Sequence, residues 1–190
     1  MEVGVLCFDV LKIQRPLGDK RIKGFFQMEV RRTDTLAERI IAAIKNAAEM
    51  YYRLVLVVGE SGSGKTAGLQ EVRRLTRAPV INVNLELSRQ MLDLTARQRA
   101  LQLPRMLKEI ASGKKRDAFL LDNIEMIFDV ALRQDPLRLL KGLSRNQTTV
   151  AAWPGLCDGQ FLTYAAPGHP EYRRYGKSDL GGLILVSSAG

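Results

Sequence analysis

The chain has only two cysteines and one histidine in 190 residues. Cys7 and Cys157 lie far apart, with no CxxC pair and no His-rich cluster beside them. A disulfide framework and a zinc finger are therefore not expected, and two reduced, buried thiols suit a cytosolic chain. A Ser-His-Asp triad would have to hang on His169 alone. Long apolar runs are also missing. None exceeds the five residues Leu54 to Val58, against roughly 20 for a membrane span, so no membrane association is expected. No basic-then-apolar leader opens the chain, because Glu2 and Asp9 interrupt residues 1–10. Secretion by the usual route is not expected, and the expected location is the cytoplasm. There are no internal repeats and no low-complexity tract.

The remaining composition is that of a folded protein, 46% hydrophobic and 26% charged, and the length suffices for one domain with its own core. The charge is lopsided. Lys and Arg number 29 against 20 Asp and Glu, a net +9, which favours anionic partners, nucleic acid first.

Residues 1–32 read as an N-terminal extension, partly flexible, with a strand at Val3–Leu11 and a basic segment broken by Pro16, Gly18 and Gly24. Met28 offers a second start. The domain proper is placed at residues 33–190. Asp34 or Thr35 caps its first helix, and Thr35 with Glu38 has capping-box spacing. Leu36, Ile40, Ile44, Ala47 and Tyr51 share one helical face. Leu54–Val58 predicts a buried parallel strand, Lys65–Thr76 a helix, and Pro79–Val83 a second strand. Leu87–Ile110 is helical in character, with Pro104 expected to split it. Ala118–Leu121 is a third strand ending in Asp122, Ile124–Leu143 is helical with a break at Asp135-Pro136, and Thr148–Ala152 is a fourth strand. Trp153–Gly176 reads as loop-rich, and Leu183–Val186 as a fifth strand. Alternation of strands and helices predicts an α/β fold, about five mainly parallel strands between two helical layers. No helical lid is expected after the last strand.

Gly59-Glu60-Ser61-Gly62-Ser63-Gly64-Lys65-Thr66 completes the pattern G-x-x-x-x-G-K-[ST]. Its glycines let backbone N–H groups close around phosphate oxygens at a helix N-terminus. Lys65 supplies charge to the β- and γ-phosphates, and Thr66 a hydroxyl for Mg²⁺. The pattern lies between a predicted strand and a predicted helix, which is the context it requires. Asp122, ending an apolar strand, suits the Mg²⁺-holding acid of such a site, although an Asp before Asn123-Ile124-Glu125 equally suits a helix cap. ATP and Mg²⁺ are thus the expected ligands, on Gly59 to Thr66 and Asp122. Hydrolysis needs a group that orients or deprotonates water. Glu125 serves if the turn after the strand is loose. If a helix starts at once, it is a solvated acid. Glu86 is a weaker candidate. Asn82 and Asn84 are either amides contacting the water or the acid, or ordinary loop residues.

Two basic stretches suit DNA or a solvated surface. The first, residues 96–116, holds Arg97, Arg105, Lys108 and Lys114-Lys115-Arg116. The second sets Arg173-Arg174 among Tyr164, Tyr172, Tyr175 and Lys177. Arg145 reads as a surface arginine or a phosphate ligand on its own or a neighbouring subunit.

From residue 34 onward, the strand, phosphate loop, second strand with Asn and apolar strand ending in Asp122 resemble the additional-strand P-loop ATPases, the AAA+ and related group. Two features depart from AAA+ proteins: Glu does not follow Asp122, and the C-terminal helical lid is absent. Leu121-Asp122-Asn123-Ile124-Glu125, Gln134-Asp135-Pro136-Leu137-Arg138-Leu139-Leu140, Leu143-Ser144-Arg145-Asn146, Ala151-Ala152-Trp153 and Pro167-Gly168-His169-Pro170-Glu171-Tyr172 are similar to the BrxF family, the small P-loop proteins of type 3 BREX bacteriophage-defence systems. That resemblance implies a bacterial antiviral complex, with a large ATPase, a DNA methyltransferase, a helicase and a PglZ-type protein as partners. The activity it implies is an ATPase that is slow, or stimulated by partners or DNA. A non-hydrolysing, nucleotide-gated interaction protein and a small-molecule kinase remain alternatives. Self-association is left open.

Overall fold

The computed structural model describes residues 35–112 and 117–189. The expected N-terminal extension with its strand, Cys7, the alternative cap Asp34 and the basic triplet Lys114-Lys115-Arg116 lie outside the described residues.

Helix α1 is Leu36–Ala47. Thr35 Oγ1 accepts from the Glu38 backbone at 3.3 Å, and Glu38 reaches back to the Thr35 N–H at 2.8 Å. That is the reciprocal bonding the sequence predicts, and it satisfies two N–H groups the helix itself leaves unpaired. The buried stripe is Ala37, Ile40, Ala43 and Ala47. Tyr51 does not continue it. The helix has ended, and Tyr51 is 71% exposed.

Five parallel strands form the sheet: β1 (Leu54–Gly59), β2 (Val80–Asn82), β3 (Ala118–Asp122), β4 (Thr148–Cys157) and, last in the chain, β7 (Ile184–Ser187), in the order β2-β3-β4-β1-β7. β1 lies between β4 and β7, with Leu54 opposite Thr149 on β4 and Val55 opposite Ile184 on β7. At the far side Asn82 pairs with Asp122. Side chains alternate across the sheet, as strand geometry requires. Val55, Val57, Leu120, Val150, Ala152 and Val186 pack on α1 and α2 (Lys65–Thr76). Leu54, Leu56, Leu121, Ala151, Trp153 and Leu185 pack on the opposite layer, α3 (Val83–Met91), α4 (Ala96–Ser112) and α5 (Pro136–Leu143). The predicted α/β sandwich around a mainly parallel sheet is therefore present.

Three expectations need correction. The helical break falls at residues 92–95, not at Pro104. There Thr95 and Gln98 bond reciprocally (Thr95 N–H to Gln98 Oε1, 2.9 Å; Gln98 N–H to Thr95 Oγ1, 3.4 Å) and start α4 afresh. Pro104 lies inside α4. A proline there has no N–H for the carbonyl of Ala100 four residues back. Gln134 supplies the missing donor, its Nε2 lying 3.0 Å from that oxygen. Gln134→Ala is expected to destabilise by about 1 kcal/mol, a Tm drop of roughly 2–4 °C for a chain of this size. The loss should shrink when Pro104→Ala restores the N–H, and equal losses in both backgrounds would refute the account.

Second, Ile124–Leu143 is α-helical only in α5. Before it come two short 3-10 turns, Glu125–Phe128 and Val130–Leu132. Asn123 and Arg133, both at φ 50°, break the path, and Asp135 caps α5 by accepting from the Arg138 N–H at 2.6 Å. Third, residues 153–176 are not simply loop. β4 runs on to Cys157 and pairs antiparallel with β5 (Leu162–Tyr164), which pairs with β6 (Arg173–Tyr175). Trp153 Nε1 donates to the Thr163 carbonyl at 2.9 Å. Phe128 stacks on Tyr164 and meets Trp153 edge-on at 4.9 Å, and Trp153 meets Tyr175 at 5.8 Å. This aromatic cluster fastens the antiparallel extension to the α3–α5 layer. The short α6 (Lys177–Leu180) then leads into β7.

Candidate functional site

The loop from Gly59 to Gly64 joins the C-terminal end of β1 to α2. Gly62 and Gly64 have φ of 78° and 84°, a region side chains avoid, and open space lies where their Cβ atoms would stand. Gly64 occupies the N-cap of α2, and no side chain caps that helix. Its N-terminus opens on a cavity of about 480 Å³ lined by Ser61 to Ala67, Asp122, Asn123, Glu125, Ala152 and Pro154. Gly59 and Glu60 do not line it. They act through their carbonyls, which each accept from Lys65 Nζ at 2.6 Å. Lys65 also reaches Ser63 Oγ at 3.3 Å. It is 9% exposed. Burial pushes its ammonium below the usual range, while the nearby carboxylates of Glu125 and Asp122 pull it back up.

The two residues expected to hold a metal meet. Thr66 Oγ1 donates to Asp122 Oδ1 at 3.2 Å, and the same oxygen accepts from the Asn123 N–H at 3.1 Å. The described residues contain no group of three or more His, Cys, Asp or Glu able to hold a metal ion. One hydroxyl and one carboxylate form a hard oxygen pair. That fits Mg²⁺, which keeps several waters and takes the rest of its ligands from phosphates.

The sequence allows Glu125 two geometries, and the chain adopts the one that brings it to the cavity. The left-handed turn at Asn123 ends the strand direction, and a 3-10 turn begins at Glu125. Asn84 holds this turn three ways. Its Nδ2 donates to Glu125 Oε2 at 2.9 Å, its Oδ1 accepts from the Met126 N–H at 2.8 Å, and its backbone N–H donates to the Asn123 carbonyl at 2.9 Å. Asn82 takes the ordinary role and caps α3 through the Leu85 N–H. Glu86 bonds Arg89 at the surface and does not line the cavity.

Sequence reasoning missed Ser188. Its hydroxyl donates to Ser63 Oγ at 2.7 Å and its N–H to the Val58 carbonyl at 2.8 Å. A Cβ on Gly59 would lie 1.8 Å from Ser188 Oγ, so this close approach is what Gly59 permits. Tyr164 was also missed as a neighbour of the acid. Burial foremost, with Glu171 and then Glu125 adding to it, pushes its phenol up to about 12. No local pattern announces either residue.

Arg97, Arg105 and Lys108 sit on one continuous helix, but Arg105 is paired with Glu109 at 2.8 Å. Arg173 donates to the Tyr172 carbonyl, and Arg174 lies 3.5 Å from the Phe161 ring centroid. Tyr175 is buried with its hydroxyl on Asp135, and Tyr164 bonds Glu171. Tyr175 and Tyr164 of this stretch therefore pack with the core. Arg145 lies in a separate cleft.

No family model, no curated protein and no solved structure matches this chain. Among the described residues no helix is long and apolar enough to cross a membrane.

Proposed function

We propose that the chain binds Mg-ATP in the cavity at the end of β1 and hydrolyses it, slowly alone and faster with a partner or DNA. The observation that carries this reading is the convergence of Lys65, the Thr66–Asp122 pair and Glu125 on one cavity. The strand order supports the additional-strand P-loop class, since β4 lies between the loop-bearing β1 and the acid-bearing β3. An anti-phage BREX setting is carried by the BrxF likeness alone.

In this reading the triphosphate takes the loop N–H groups and the uncapped start of α2. Lys65 exchanges its bonds to the Gly59 and Glu60 carbonyls for phosphate oxygens, a charge-assisted contact that is shorter and stronger. Thr66 and Asp122 would hold Mg²⁺, which when bound neutralises charge shared by the β- and γ-phosphates. Glu125, fixed by Asn84, orients the attacking water and accepts its proton. Pro154 lines the same cavity and belongs to β4, so the antiparallel extension begins at the nucleotide's edge.

The alternative is a switch that binds ATP without turning it over. Asn123, standing directly after Asp122, favours it. ATP turnover by the full chain, alone and with double-stranded DNA or the companion proteins, separates the two. Phosphate release that DNA or a companion accelerates supports the ATPase. Tight ATP binding with no release in any condition leaves the switch.

A further inference from the structure

A second cleft, of about 770 Å³, lies along α5, lined by Tyr52, Asp135, Leu137, Arg138, Lys141, Gly142, Arg145, Tyr175 and Asp179. It shares Asp135, Arg138 and Gly142 with a neighbouring groove that adds Lys108. Arg138 and Lys141 lie one turn apart on α5, Arg145 follows just past its end, and the three form one stripe along the cleft. Lys108, Arg138 and Arg145 are exposed. The three ion pairs recorded among the described residues, Glu71–Arg74, Glu86–Arg89 and Arg105–Glu109, all lie elsewhere. The two acids in the cleft are engaged internally. Asp135 accepts from the Arg138 N–H and the Tyr175 hydroxyl, and Asp179 from the Gly176 N–H. Lys141 is partly structural, since it donates to the Asp179 carbonyl.

Helix stability does not account for the stripe. Lys141 and Arg145 near the C-terminus of α5 complement its dipole, but Arg138 is in the first turn, where a cation is unfavourable. At the same end stand two tyrosines, edge-to-face at 4.8 Å. The Arg145 guanidinium is 5.8 Å from the Tyr51 centroid and 6.0 Å from that of Tyr52. Tyr51 is 71% exposed, a large aromatic face offered to solvent beside a row of cations. Phosphate-tracking cations with a stacking aromatic are what an unpaired strand requires, and a duplex has no free base to place on the ring.

We propose that this face binds single-stranded nucleic acid, with phosphates on Lys108, Arg138, Lys141 and Arg145 and an unpaired base on Tyr51. The surface does not depend on the nucleotide site. It is joined to it through the backbone, since the Ser144 carbonyl after α5 accepts from the Arg53 N–H at the foot of β1.

The test is anisotropy of a labelled oligothymidine of about 20 nucleotides, longer than the usual site, with the full chain across a salt series and no ATP. Arg138→Gln with Arg145→Gln should reduce the slope of log K against log salt by about 1.4, at ~0.7 per phosphate contact. The paired Lys replacements should retain it. Tyr51→Ala should weaken binding about fivefold or more, and Tyr51→Phe should not. Lys65→Ala should bind the oligonucleotide as the unaltered chain does, so failure of the nucleotide reading leaves this result standing. Melting curves of each variant check that it folds. The proposal is overturned by no binding at low salt, by a slope unchanged in the double Gln variant, by a duplex bound as tightly with Tyr51→Ala neutral, or by polyglutamate competing as well as the oligonucleotide.

Discussion

If the chain is the ATPase proposed above, Lys65→Ala is expected to lower kcat/KM for ATP by about a hundredfold or more, the usual loss when one pre-placed donor is removed from a charge-developing site. The expected stability change is small and has an instructive sign. Lys65 is 9% exposed, and its burial is unfavourable enough to push its ammonium down. What it bonds meanwhile are the Gly59 and Glu60 carbonyls, which belong to a loop beside an open cavity and can bond water once it is gone. Alanine therefore removes a desolvated cation and strands little in return. Activity should collapse while Tm holds or rises slightly. Steady-state turnover and a melting curve on the same preparation check both. Turnover within threefold of the unaltered chain would mean the ATPase signal comes from elsewhere.

Glu125→Gln is the second large effect. The replacement keeps shape and can still accept from Asn84 Nδ2, so the turn at Met126 should survive. What it loses is the proposed base. A positioned acid–base group contributes about 10²–10⁴ in rate, so kcat should fall by that factor with ATP affinity unchanged within about twofold. Single-turnover hydrolysis beside equilibrium ATP binding reads the two separately. If turnover survives, Glu125 is a neighbour of the site and not its base. If the unaltered chain shows no turnover at all, the switch reading stands.

The elements whose cause is local were legible in the sequence. Thr35 and Glu38 cap α1 as their spacing says. α2 spans Lys65–Thr76, because glycines precede it and Arg77 leaves it in a left-handed turn at φ 60°. The run Leu54–Val58 is buried from end to end. The failures share one form. Pro104 does not break α4, because a glutamine from a distant turn takes the carbonyl that the ring orphans. Residues 153–157, 162–164 and 173–175 are strands, held where Trp153, Tyr164 and Tyr175 pack together with Phe128, while the Gly, Pro and polar content of residues 153–176 says loop. Asp122 was readable as a strand-end acid, but Glu125 was not decidable. Its placement turns on the backbone at Asn123 and on Asn84, neither of which carries a short-range signature. Ser188 was beyond reach for the same reason: only the sheet brings it to Ser63.

The pairing of β1 also dictates when the Gly59–Thr66 loop can take its shape during synthesis. Leu54 waits for Thr149, Val55 for Ile184, and the Val58 carbonyl for Ser188. The strand that carries the loop is made early, yet both its neighbours emerge late. Until then it is a short apolar segment with two open edges, in a topology whose non-local pairings fold slowly. A nascent chain released before Ile184 should therefore aggregate and, if the proposed ATP site is right, bind no ATP. On the proposed function, acquisition of nucleotide binding then reports completion of the sheet.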